Sequence, residues 1–187
     1  MKRPSKDEYV LYYHTYIEKV PDGDVVKSMN KQIAEVKRLF KNVTKKQSEF
    51  RYSPDKWSVK EVLGHILEAE RIFSYRALRF ARNDNKDLHG FDENEYIHKS
   101  NYNEIKLADL VEEFCSLRTA NMLMFKNFTD EMSLRIGTAN SNKFSVRALA
   151  YIMYGHVHHH LKILKERYFS FYATACFSIS SIRKDRL

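Results

Sequence analysis

An all-α, four-helix bundle is the fold this sequence predicts, and three observations carry the prediction. Glycine and proline are scarce, five and three among 187 residues, too few for the turns of a sandwich or barrel. Four long segments carry apolar residues at helical spacing. Helix-start signals stand at Ser58 and Ser145. The composition, 43% hydrophobic and 30% charged, is that of a folded chain, and the length suits one domain with a substantial core.

The first helix is expected over about Asp24 to Lys41, after the Pro21-Asp22-Gly23 turn, with Val25, Met29, Ile33, Val36, Leu39 and Phe40 on its apolar stripe. Ser58 with Glu61 forms a capping box, and Trp57 can staple onto Val62, so the second helix starts there and runs to about Arg82. From Asn83 to Lys106 the chain is polar and irregular around Leu88-His89-Gly90-Phe91-Asp92. That crossover is too long for a tight hairpin and is a candidate lid or site wall. Leu107 to Phe128 forms the third helix. A second polar connection ends at Phe144-Ser145, where Ser145 can cap and Phe144 can staple onto Leu149. The fourth helix continues to about Arg167.

A formal charge of +8 fits solubility or an anionic partner such as a phosphate-bearing substrate. Its lysines and arginines are scattered, and no basic stripe interleaves with aromatics, so nucleic-acid binding is not expected. Cys115 and Cys176 lack the spacing of a disulfide framework or thiolate metal site. The N-terminus lacks a signal-peptide core, and the apolar run from Tyr168 to Ile179 is too short to span a bilayer. The expected location is cytoplasmic and the expected partner a small-molecule substrate. Dimerisation is compatible with a small bundle, as a homodimer, but no interface can be read from the residues.

Four of the eight histidines fall within Gly155-His156-Val157-His158-His159-His160-Leu161. At about 100° per residue, His156 and His160 lie roughly 40° apart, on or beside the face of Val146, Leu149, Met153, Val157 and Leu164. His158 points nearly the opposite way and His159 lies at the edge. Imidazoles at i and i+4 suit chelation of one metal. His65, two turns past its cap and beside the face of Val62, Ile66, Ala69 and Phe73, is the best-placed third ligand. His14, His89 and His98 lie in less regular segments. Spacing alone leaves hydrogen-bonded core histidines as an equal alternative, and without a His-Glu-x-x-His motif the zincin protease reading has no general base.

The run from Lys56 to Ile66, Glu70-Arg71-Ile72-Phe73, Tyr75 to Arg82, Gly90-Phe91-Asp92-Glu93, Ser145 to Leu149 and Gly155 to Leu161 resemble the DinB superfamily in its YfiT-like branch. The resemblance covers about residues 10 to 168, and residues 1–168 are expected to form one DinB-like domain; the tail, 169–187, lies outside it. It implies an up-up-down-down-like bundle in which His65, His156 and His160 hold one divalent ion, nickel or zinc. It also implies chemistry of two kinds. Members include thiol S-transferases using bacillithiol or mycothiol and isomerases using mycothiol, and others are designated metal-dependent hydrolases.

Three neutral imidazoles leave coordination positions open, the arrangement of a catalytic rather than a closed structural site. An ion so held could activate water, or a low-molecular-weight thiol cosubstrate. The alternative is a non-catalytic helical binding protein with a structural metal or core histidines. Arg118 and Asn121 share the inner face of the third helix, and Glu70 that of the second. Arg118 therefore reads either as the partner of a buried Glu70 ion pair or, with Asn121, as a binder of substrate. Arg76 and Asp92 could also approach the pocket, Arg76 as a further substrate-binding residue.

Overall fold

A computed structural model describes residues 1–170; Cys176 and all but the first two residues of the expected tail lie outside them. Four long helices form the bundle: α1 (Val25–Phe40), α2 (Val59–Ala81), α3 (Leu107–Lys126) and α4 (Val146–Ile163). Each α-helical boundary falls close to its expected place, except that α4 passes into a wider π-helical turn, Leu164–Phe169. The caps form as read. Ser58 Oγ accepts from the Glu61 amide at 3.1 Å while the Glu61 carboxylate accepts from the Ser58 amide at 2.7 Å. Ser145 Oγ accepts from the Ala148 amide at 3.0 Å. None of the described helices is long and apolar enough to cross a membrane.

The core is divided into two halves. One holds the start of α1 (Val25, Met29), the ends of α2 and α3 (Phe80, Phe125) and the start of α4 (Leu149). The other holds the end of α1 (Phe40), the starts of α2 and α3 (Leu63, Leu110) and the end of α4 (Leu161). Hence α2 and α3 run together, and α1 and α4 run together in the opposite sense. The order is up-down-down-up, which corrects the up-up-down-down arrangement that the resemblance implied. Parallel α2 and α3 also explain the long crossover. After 23 residues of α2, roughly 35 Å at helical rise, the chain must return the whole length of the bundle.

Between the two apolar halves lies a buried polar layer. Arg118 donates to Glu70 at 2.7 Å and to Gln32 at 3.0 Å, Asn121 donates to Glu70 at 3.0 Å, and Gln32 donates to the Tyr154 carbonyl at 2.9 Å. All four helices meet in it. A helix slipped by one turn would leave charges facing hydrocarbon, so the layer sets the relative depth of the helices.

The connections carry more structure than their composition announces. The crossover holds a short helix, Glu93–His98, capped by Asp92, which accepts from the Asn94 and Glu95 amides. Asp92 is thus a cap. Before α4 the chain forms a short helix, Asp130–Leu134, and a hairpin of β1 (Ile136–Ala139) and β2 (Asn142–Ser145), paired antiparallel with Ile136 opposite Ser145. Asn140 and Ser141 turn the hairpin with φ of 50° and 60°, the left-handed pair that a two-residue turn requires. The crossover is tied to this hairpin: the Leu88 amide donates to Thr138 and the Asn140 amide to Leu88.

Residues 1–24 also pack on the bundle. Glu8 accepts from Ser145 Oγ at 2.6 Å and pairs with Arg147, fastening this segment to the start of α4. Burial opposes ionisation of Glu8, but bonds from Arg147, Ser145 and Ser5 outweigh it and hold the carboxyl at about 2. A lowered carboxyl pKa stabilises the fold fully above the unfolded value of about 4.5, and that contribution is lost as pH falls towards about 2. Glu8→Gln should therefore flatten the acid side of the stability profile below about pH 4.5. Urea midpoints measured between pH 3 and 7 check this; parallel profiles for variant and wild type would contradict it.

Candidate metal centre

His65 stands near the start of α2 and His156 and His160 in the second half of α4, and the antiparallel run of these helices brings them level. His65 Nε2 lies 2.9 Å from His156 Nε2, which lies 3.1 Å from His160 Nε2. The three form a group whose ligand atoms all fall within 4.8 Å of one another. With metal–nitrogen distances of about 2.0–2.1 Å, two imidazole nitrogens stand roughly 2.9 Å apart at a right angle and roughly 3.4 Å apart in a tetrahedron. The His65–His156 and His156–His160 spacings match edges of such a polyhedron, and with all three ligand atoms within 4.8 Å the set, centred on His156, suits one divalent ion.

Electrostatics favour the same state. Burial pushes the His65 imidazole down to about 4, with His159 adding to the effect. Burial, then mutual repulsion with neighbouring histidines, holds His156 and His160 well below the ordinary histidine value. Neutral rings keep lone pairs for a cation at neutral pH. Aromatic neighbours fix their orientation: Trp57 packs on His65 with centroids 4.9 Å apart, and Tyr16 meets His156 edge-on at 5.7 Å.

Each Gly-His pair has a local reason. A Cβ on Gly64 would stand 2.2 Å from the Tyr102 ring of the crossover, and one on Gly155 would stand 2.1 Å from the Tyr16 carbonyl oxygen. Glycine lets one segment lie against each helix one residue before its ligand. Gly155→Ala should lift the N-terminal segment off α4. Its gain of about 1 kcal/mol in helix propensity is outweighed by overpacking of about 1–3 kcal/mol against backbone. Faster proteolysis within the first twenty residues and a lower melting temperature are the expected results; an unchanged cleavage pattern would contradict them.

The histidines open onto a cleft of about 530 Å³, walled by Tyr12, Tyr13 and Tyr16 of the N-terminal segment, Phe91 and Glu93 of the crossover and Asn140 and Asn142 of the hairpin. A sequence profile described as the DinB superfamily matches residues 29–164. The chain belongs to the DinB superfamily. This DinB-superfamily bundle also resembles the solved structure of YfiT from Bacillus subtilis, with a TM-score of 0.70, 14% identity, and coverage of 88% of this chain and 90% of that one. YfiT is described as a probable metal-dependent hydrolase with an unusual four-helix bundle topology. At that identity the likeness speaks for the fold. A search of the curated proteins returned no match.

The remaining candidates of this DinB-superfamily chain fall into two groups. Arg76 lines the cleft. Arg118 and Asn121 do not: Arg118 is 0% exposed and both belong to the sealed polar layer. The ion-pair reading is the one seen, and substrate binding by these two is set aside. His158 stacks on Tyr154 away from the cleft, whereas His159 lines it beside Tyr16. His14 contacts Tyr9, and neither His89 nor His98 joins the cluster. The tyrosine wall and the hairpin asparagines carry no clear signal in the sequence, because each lies in a short segment without a helical period. In the sequence Trp57 reads as a staple, and in the fold its ring also supports His65.

Proposed function

We propose that the chain is a metal-dependent enzyme in which His65, His156 and His160 hold one divalent ion, zinc or nickel, at the base of the cleft. The observation that supports this reading best is the convergence of three neutral, mostly buried imidazole Nε2 atoms at a cavity wall. Among the described residues the cluster has three donors and no fourth, which favours open coordination positions over a closed structural site. When bound, a divalent ion supplies a Lewis acid and lowers the pKa of an attacking water or thiol.

The protein's own part is to bind, orient and shield. Trp57 and Tyr16 keep two of the imidazoles aimed at a common point, and Phe73 and Phe91 give the cleft apolar walls that exclude bulk water. Cys115 lies in the opposite core half from the hairpin wall and does not line the cleft. Among the described residues no thiol lines the cleft, which supports a small cosubstrate as the source of a nucleophilic thiol. The reaction class is therefore hydrolysis, or S-transfer from a low-molecular-weight thiol to an electrophile.

Turnover of activated esters, and of an aromatic halide with added thiol, should appear in zinc- or nickel-loaded protein. It should vanish after chelation and in His160→Ala. Metal-loaded protein inert towards both electrophile classes would instead indicate a binding role.

A further inference from the structure

Two arginines of the bundle are buried to a similar degree, yet their surroundings differ. Arg118 is neutralised by Glu70 and sealed among four helices. Arg76, 5% exposed, donates from Nη2 to the His89 carbonyl at 2.9 Å, and among the described residues no carboxylate forms an ion pair with it. Asp87 and Tyr13 act on it only through longer-range charge effects, and Asp87 accepts from Ser141. Glu93 lines the same cleft without reaching ion-pair distance. A guanidinium has five N–H donors in a planar fork suited to a carboxylate or phosphate. Buried without a counter-charge, it is an electrostatic vacancy in the cleft wall.

Its placement gives that vacancy a direction. Arg76 is eleven residues after His65 on α2, so the two share a face within roughly 20°, about 16 Å apart along the axis. Helical side chains lean towards the N-terminus, which tilts Arg76 back towards the histidines. Ala69 and Phe73 line the cleft between them. One wall thus carries, in order, a candidate metal centre, an apolar stretch and an unpaired cation.

We propose that Arg76 is the anion-recognition residue of this cleft, and that the substrate is a small molecule bearing a carboxylate or phosphate at the end remote from its reacting group. The inference rests on the reading of the cleft as a substrate site but not on its metal occupancy, and its test uses that independence. Butyrate and inorganic phosphate would be titrated separately into metal-free protein, following the arginine Nε–H resonances by NMR, with zinc uptake measured in parallel. Saturable binding of at least one anion is expected, and the stronger binder identifies the class. Arg76→Gln should weaken it about 10- to 100-fold, the factor a charged hydrogen-bonded pair contributes, with zinc uptake unchanged. Arg76→Lys, which keeps charge but loses the fork, should fall between and show that the loss is not misfolding. No anion binding in wild type, or equal binding in Arg76→Gln, would overturn the inference. Arg76-dependent anion binding by a protein that refuses zinc would uphold it while removing the metal.

Discussion

Arg118→Met is expected to cost about 3–5 kcal/mol of folding stability, the penalty for leaving a buried charge without its partner. Glu70 would keep only its bond from Asn121, and Gln32 would lose the guanidinium that its carbonyl oxygen accepts from. A loss of that size is a large part of the stability of a domain this long. Replacing both charges, Glu70→Leu with Arg118→Met, should recover part of it, since no orphaned ion is left although Asn121 and Gln32 each lose one bond. Urea denaturation of the single and double variants separates the two cases. A single variant within 1 kcal/mol of wild type would mean that the layer does not hold the helices in register.

The layer matters to the site because of where it grips α4. Gln32 and Arg118 bond to the carbonyls of Tyr154 and Met153, immediately before Gly155 and His156. Fixing α4 at that depth places His156 opposite His65. The second large effect therefore falls on His156, whose Nε2 lies next to those of both other histidines. His156→Ala should weaken zinc or nickel binding by more than about 100-fold, beyond the loss usual for groups that only orient a ligand. His159→Ala, one cleft residue outside the cluster, should bind metal almost as wild type does. Competition titration against a chromophoric chelator gives both numbers, and comparable losses in the two variants would argue against a specific three-histidine centre.

Much of this architecture is written in local chemistry. Ser58 with Glu61, and Ser145 before an apolar stripe, mark helix starts because a cap satisfies backbone amides that the helix leaves free. The two inward histidines of α4 are separable from His158 by the helical period alone, whereas their level with His65 depends on the antiparallel run of α2 and α4, which turns counted from the two caps do not give. What stayed hidden depends on tertiary choice. Facing inward did not say whether Arg118 met a cleft or a counter-ion, since both positions share one helix face. The hairpin turn uses Asn140-Ser141 rather than an Asn-Gly pair, so its signal was weak. The tyrosines of residues 9–16 sit in short turns whose only instruction is to pack on a helix made narrow at Gly155. The up-up-down-down order that the resemblance implies conflicts with the crossover of 83–106, since a connection of that length favours parallel neighbours.

Metal content is the most direct test of the central claim. Protein purified without a histidine tag, with His65→Ala, His156→Ala and His160→Ala prepared alongside, would be analysed by inductively coupled plasma mass spectrometry before and after incubation with zinc or nickel. About one divalent ion per wild-type chain is expected, with its loss from all three variants, each still helical. Wild-type protein that refuses both ions, or variants that keep full occupancy, would contradict it.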